Sequence, residues 1–154
     1  GVVRATHNNE LFPVAGVRSR LKPELFPREA YLSRALTGHD FTRAVNAVLA
    51  STDRVLLIAE NRGYYFSGNY MYGDSSEQGV LDYASASGPK ELRVRLAGWG
   101  ITHLAISEDD DWYADAVRRA DPRSYALVLE TARRYGTKVL TAQGRTLYVL
   151  NPVE

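Results

Sequence analysis

Two stretches of the chain carry residue types and spacings that could do chemistry. In "ENRGYYFSGNYMYGD", residues 60–74, five aromatic residues, three glycines and Arg62 follow directly on an apolar run. Rigid rings beside Arg62 and Asp74 suit stacking on a sugar or docking on a partner surface, and core packing of the same rings is the alternative. In "SEDDDW", residues 107–112, four carboxylates crowd together. Oxygen ligands of that kind suit magnesium or calcium. The same acids ahead of a helix would cap its free N–H groups and meet its positive end, and the EF-hand loop pattern is missing. The cap is the simpler of the two, and no metal site is assigned.

Other chemistries find little to work with. A dinucleotide fold needs a glycine fingerprint after its first strand, yet "AENRGYYFSG" matches neither GxGxxG nor GxxxxGK[ST]. The one GxG, "GWG", precedes a strand instead of following one. GxSxG is absent, and His7, His39 and His103 have no HExxH-type spacing, so a serine hydrolase or zinc protease is not indicated. His103 lies inside the apolar run "ITHLAIS", where burial would shift its pKa and could give it a role; a hydrogen-bonded histidine at a sheet position explains it as well. Neither a catalytic residue nor a cofactor is assigned.

The elements that must position these residues follow from length and patterning. With 154 residues, 45% of them hydrophobic, the chain is long enough for one domain with its own core. Nineteen basic and eighteen acidic side chains leave a formal charge of +1, which argues against an electrostatic nucleic-acid binder. No cysteine is present, so disulfides and thiolate metal sites are excluded. No apolar run is long enough for a membrane span. Residues 1–26, of mixed polarity with two prolines and a third directly after at Pro27, are expected to be an arm or linker, the start of an excised fragment, with a single α/β domain over 27–154.

Within that domain, "FPREAYLSRAL" and "DFTRAVNAVLAS" have helical spacing, the second with Asp40 as its expected N-cap. "RVLLIAE", residues 54–60, is a short apolar run typical of a strand buried on both faces. After an Asn61-Arg62-Gly63 turn, "YYFSG" is expected to continue as a second strand, with Tyr64 and Phe66 on one side and Tyr65 on the other. Tyr70, Met71 and Tyr72 stand among Gly68, Asn69, Gly73 and Asp74, which predicts a loop. A helix over "GPKELRVRLAGWG", a buried strand in "ITHLAIS" and two further helices, with Asp121-Pro122 starting the second and Gly136 ending it, come next. "KVLTAQGRTLYVLN" predicts a closing hairpin with a Gln143-Gly144 turn. The fold class is therefore α/β: a mixed, mainly parallel sheet with flanking helices, three-layered in the Rossmann-like or flavodoxin-like manner, with a C-terminal β-hairpin.

The succession "FPREAYLSRAL", "DFTRAVNAVLAS", "RVLLIAENRGYYFSGNYMYGD", "ELRVRLAGWGITHLAIS" and "TLYVLN" resembles the soluble C-terminal region of bacterial polytopic membrane glycosyltransferases of the GT-C type, such as mannosyltransferases and aminoarabinose transferases. The likeness covers about residues 25–150, and its motifs are structural, not catalytic. It implies many membrane spans ahead of this domain and a place on the extracytoplasmic side of a bacterial membrane, periplasmic or cell-surface. It also implies sugar transfer from a polyprenyl-phosphate donor. The family's catalytic carboxylates lie in its membrane portion and match no position here, so the resemblance implies an accessory domain that is not catalytic alone. Its expected partners are the membrane-embedded portion of the same polypeptide and a sugar or lipid-linked acceptor. Arg62, Tyr64, Tyr65, Tyr70, Tyr72 and Asp74 are the candidate contacts. The alternatives are a stand-alone small-ligand module using the strand ends at 54–60 and 101–107, or a protein-interaction module without small-molecule chemistry.

Overall fold

The structure, a computed structural model, describes residues 28–108 and 111–153. The expected arm at 1–26 and the acids Asp109 and Asp110 lie outside the described residues. The chain divides into two compact units, Gly1–Leu36 and Thr37–Glu154. Of the first, only helix α1 (Arg28–Ala35) is described.

The second unit contains helices α2 (His39–Val48), α3 (Pro89–Gly98), α4 (Trp112–Ala120) and α5 (Pro122–Tyr135). Its strands are β1 (Arg54–Ile58), β2 (Asn69–Tyr72), β3 (His103–Ser107), β4 (Gly136–Ala142) and β5 (Arg145–Leu150). They form one sheet in the order β2-β1-β3-β5-β4. β2, β1 and β3 run parallel, and the β4–β5 hairpin adds antiparallel to β3, giving the mixed sheet and closing hairpin that the sequence predicts. The hairpin turns at Gln143 and Gly144, both at positive φ, the conformation a two-residue turn matched to strand twist requires.

Alternation along the buried strands splits the core into two layers. Val55 and Leu57 of β1, with Ala105 of β3 and Leu147 of β5, meet Phe41 and Val45 of α2. Leu56 and Ile58, with Leu104 and Ile106, meet Leu92 and Leu96 of α3, Ala114 of α4, and Val128 and Ala132 of α5. Both faces of the central strands are covered, which is why they are continuous apolar runs in the sequence.

Two expectations are corrected around β1 and one at α2. Tyr64 to Phe66 form no strand: Gly63–Tyr65 is a single 3-10 turn, with Tyr65 N–H donating to the Arg62 carbonyl and Phe66 N–H to that of Gly63. The second strand is Asn69–Tyr72 instead, so Tyr70, Met71 and Tyr72 sit on an edge strand and not on a loop. The reason is parallelism. A tight turn can only return the chain antiparallel, whereas β2 runs with β1, and the intervening segment must carry the chain back to the starting end of the sheet. Gly63 fits that path because a Cβ there would run into the Tyr70 ring and the Tyr72 hydroxyl. Asp40 does not cap α2, which begins one residue earlier. Gly38, at φ 87°, holds the cap position, and Asp40 falls in the first turn.

Candidate functional site

The β1–β2 connection crosses the α2 face, where Phe66 is buried, and the β2–β3 connection crosses the opposite face, where Leu81 and Tyr83 are buried. The chain therefore leaves β1 in both directions, and the sheet has its switch point between the carboxyl ends of β1 and β3. In open α/β sheets that is where a ligand crevice forms.

Here the place is filled by a closed ring of four charged side chains. Glu60, 2% exposed, receives Arg145 Nε at 2.5 Å on Oε2 and Arg62 Nη1 at 3.0 Å on Oε1. Asp111 closes the ring, its Oδ2 accepting from Arg145 Nη2 at 2.9 Å and Arg62 Nη2 at 3.2 Å. Three separate parts of the chain bring the four residues. Glu60 and Arg62 leave the end of β1, Asp111 is the N-cap of α4, and Arg145 begins β5 opposite Ser107 of β3. Arg145 is wholly buried and lies over Gly38, where a Cβ would come within 2.8 Å of its Nε. A further bond from Arg145 Nη1 to the Gln143 carbonyl ties the ring to the hairpin turn.

The electrostatics of the ring are self-consistent. Burial works against the charge on Arg62, but Glu60 and Asp111 more than offset it and raise its pKa above the ordinary value. For Asp111 burial again opposes ionisation, and the Ala114 N–H together with Arg62 outweighs it, so its pKa falls. Asp111 Oδ1 also accepts from Tyr113 N–H and Ala114 N–H, so this acid is the helix cap foreseen as the simpler reading of the cluster.

Next to the ring, Asp74 is buried and both of its oxygens are occupied. Oδ1 accepts from Ala59 N–H at 2.8 Å and Oδ2 from the Tyr113 hydroxyl at 3.0 Å. Burial pushes its pKa up, and these two donors only partly counter it. The Ala59 bond holds that residue at φ 53°, an unusual conformation for alanine, which turns the chain out of β1 toward Glu60. Asp74 is thus a fixture of the scaffold at the end of β2.

The aromatic candidates divide. Tyr70 and Tyr72 pack edge to face at 5.6 Å on β2, and Tyr72 donates to the Asn61 carbonyl. Tyr64 and Tyr65 stack with centroids 3.9 Å apart, and Tyr65 meets the His39 ring edge-on. Tyr64 is 71% exposed and presents its ring to solvent. Asn46 of α2 clamps this turn from below, donating to the Tyr65 carbonyl and accepting from Ser67 N–H, both at 2.9 Å. So Arg62 and Asp74 serve the framework beneath, while Tyr64 is offered on a rigid mount.

His103 opens β3 at the opposite end of the sheet. Its Nδ1 lies 2.8 Å from the Thr102 hydroxyl and 3.9 Å from Asp53, and burial lowers its pKa despite that carboxylate. This matches the hydrogen-bonded sheet position weighed above. Arg119 and Arg134 stand on exposed helix faces and pair one turn back with Asp115 and Glu130. Among the described residues no group of three or more histidine, cysteine or acidic side chains is placed to hold a metal ion.

Sequence reasoning missed Glu60 and Arg145. A glutamate closing an apolar run and an arginine opening a strand are visible in the sequence. Their meeting depends on β5 lying beside β3, across 85 residues of chain. Comparison with known proteins gives no match to any family model, any curated protein or any solved structure.

Proposed function

We propose that this chain is a soluble accessory domain of a multi-pass bacterial membrane glycosyltransferase, on the extracytoplasmic face, and that it docks on the membrane portion of its own polypeptide without catalysing transfer. The observation that carries this reading is the charged ring. The crevice in which an α/β domain would hold a small substrate is occupied by Glu60, Arg62, Asp111 and Arg145 bonded to one another, which leaves no free acid-base pair there among the described residues. What the same end of the sheet offers outward is aromatic, led by Tyr64. A docking or acceptor-holding role fits such a surface better than chemistry does. The segments that carry the resemblance to the GT-C enzymes also fall on the elements it calls for: helix α2, strand β1, an aromatic-rich connection, helix α3 and strand β3.

The stand-alone small-ligand alternative is disfavoured by the same ring, since its expected site was the carboxyl ends of β1 and β3. Two cavities among the described residues lie elsewhere. One of about 330 Å³ is lined by Ser87, Pro89, Arg123, Leu127 and Glu130, and one of about 190 Å³ by Gln78, Asp82 and Ser124.

Coding sequence upstream of Gly1 gives the first test. The proposal expects a series of hydrophobic spans of about 20 residues each, with an acidic residue in an early extracytoplasmic loop. In that parent, Tyr64→Ala is expected to lower sugar transfer while leaving the melting temperature of the domain unchanged. A parent without spans, or full transfer by the variant, would remove the proposal.

A further inference from the structure

The recess of about 190 Å³ lies between the segment that follows β2 and the start of α5, lined by Gln78 and Asp82 from the one and by Asp121 and Ser124 from the other. A chamber of about 10 Å³, room for one water molecule, adjoins it: the two share Ser75, Tyr83, Asp121 and Ser124, and the chamber reaches Asp74 and Ile58 in the interior. Ile58 ends β1 and Asp74 follows β2, so the chamber stands at the carboxyl end of the parallel strands, where α/β sheets hold ligands. Among the described residues no lysine, arginine or histidine lines either space, whereas three aspartates do: Asp74, Asp82 and Asp121. Asp74 is 4% exposed and has no basic partner among the described residues; the Ala59 N–H and the Tyr113 hydroxyl that bond it are both neutral. Hydrogen bonds from Ser124 hold the Asp121 carboxyl below its ordinary range, and Ser75 and Arg123 add to this. Arg123 itself lines the separate cavity of about 330 Å³. The Asp82 side chain caps nothing, and Arg95 bonds to the Asp82 carbonyl, to Ser85 and to Glu91.

We propose that this recess binds a small organic primary ammonium, its charged head in the chamber by Asp74 and Asp121 and its body in the wider part near Asp82. The site goes beyond the accessory reading and depends neither on Tyr64 nor on a parent protein. Burying a carboxylate is costly unless a cation meets it, and Asp74 has only neutral donors. An ammonium head brings three donors and one positive charge to a chamber lined by carboxylate and hydroxyl oxygens. Its size matches the space of a single water molecule. A divalent metal ion fits less well: hard cations of that kind take roughly six to eight oxygen ligands, and among the described residues no group of three or more acidic or histidine side chains is placed to supply them. An anion would meet three aspartates, and a neutral polyol would leave their charge uncompensated. The walls are also set in advance. Asp121 is held as the N-cap of α5, Asp74 by its two donors, and the backbone of Asp82 by Arg95, so little freedom is lost when the ligand enters.

The test follows the backbone amide resonances of the isotope-labelled 154-residue chain while n-butylammonium chloride is added, with 1-butanol as its neutral counterpart at matched ionic strength. Saturable shifts centred on the amides of 73–84 and 121–125 are expected, with a dissociation constant of millimolar order for so small a probe. Butanol is expected to leave those resonances in place. Asp121→Asn removes the charge and keeps a side chain that caps a helix equally well, and it is expected to weaken binding by about tenfold, the loss of one charge-assisted bond. Asp82→Asn is expected to weaken it by about threefold, as for an exposed ion pair. Both variants should melt as the parent does; if Asp121→Asn does not, Asp82→Asn and the comparison with butanol still decide. Equal shifts with butanol, an affinity unchanged in both variants, or no saturable shift at about 50 mM amine would overturn the proposal. Shifts at the same amides with calcium chloride and none with the amine would overturn it in favour of a metal ion.

Discussion

The two ends of the parallel strands are built from the same materials and are put to different use. At the amino end, Asp53, Thr102 and His103 form a small cluster in which Thr102 Oγ1 accepts from Arg54 N–H at 2.9 Å and lies beside the His103 ring. The side-chain bonds of Thr102 all link residues at or next to the starts of adjacent strands β1 and β3. At the carboxyl end, Glu60, Arg62, Asp111 and Arg145 come from three separate parts of the chain and bring full charges into the interior. One end trims the edges of two neighbouring strands; the other fastens the loop after β1, the cap of α4 and the hairpin to one another. The lesson is that the costlier arrangement stands where such folds bind ligands, and it holds the mounts of the exposed rings.

The most forceful way to break the comparison is to open the ring. Arg145→Met leaves Glu60 without its bond from Arg145 Nε and Asp111 without that from Nη2, and an uncompensated charge in such a site costs about 3–5 kcal/mol. Removing the charge of the partner as well, with Glu60→Leu added to Arg145→Met, is expected to recover a good part of that loss, because the carboxylate no longer needs a counter-charge. Denaturant unfolding of both variants measures the difference. At the amino end, Thr102→Val removes one hydroxyl and its bonds and is expected to cost about 1–2 kcal/mol. Equal losses at the two ends would mean that the ring does not tie the elements together.

Gly38→Ala probes the ring without touching a charged group. The new methyl carbon would stand 2.8 Å from Arg145 Nε, in a backbone conformation of φ 87° that alanine resists. A loss of about 1–3 kcal/mol is expected from crowding and strain together. If Gly38→Ala in the Arg145→Met background costs clearly less than in the wild type, the crowding falls on the arginine; equal costs assign the effect to the backbone alone.

How much of this was legible beforehand depends on distance along the chain. β1, β3, the closing hairpin and the Asp121–Pro122 helix start were all readable, because each is fixed by residues a few positions apart. The strand at Asn69–Tyr72 was not: four residues on a sheet edge bury too little to show a period, and Gly68 and Gly73 on either side read as loop. Among the candidate contacts, Tyr64 was expected in a strand beside Phe66, so its exposure on a 3-10 turn was not legible, and the framework duties of Arg62 and Asp74 came from partners 49 and 39 residues away. Arg145 was invisible as a site residue because Glu60 faces it only through the order β1-β3-β5.

Acid sharpens the comparison by sign. Burial depresses the pKa of His103 below its ordinary 6.5. The unfolded chain therefore binds the proton more readily, and stability falls as pH drops from about 6.5 toward the depressed folded value. Asp111, also depressed, loses its contribution lower still, as pH falls below the ordinary carboxylate range. Asp74 runs the other way: its folded pKa is raised, so its contribution is complete in acid and declines as pH rises through that value. His103→Asn is expected to flatten the mildly acidic part of the stability profile and to leave the carboxylate part in place. An unchanged slope above pH 5 would show that His103 does not titrate between the two states.

The smallest stability effect belongs to the ring that faces water. Tyr64→Ala takes away a side chain whose only recorded ring contact is Tyr65, and the turn beneath it keeps the Asn46 clamp and both 3-10 hydrogen bonds. A change within about 0.5 kcal/mol is expected, as for other surface substitutions away from caps and cores. That near-neutrality gives the variant its value. Arg145→Met is expected to disturb the fold itself, whereas Tyr64→Ala separates the proposed role from folding: a loss of transfer in the proposed parent at unchanged stability can come only from what Tyr64 touches outside the fold. A loss of 2 kcal/mol or more, the size expected when a buried aromatic body is removed, would instead place this ring in the core, and the carboxyl end would become as purely structural as the amino end.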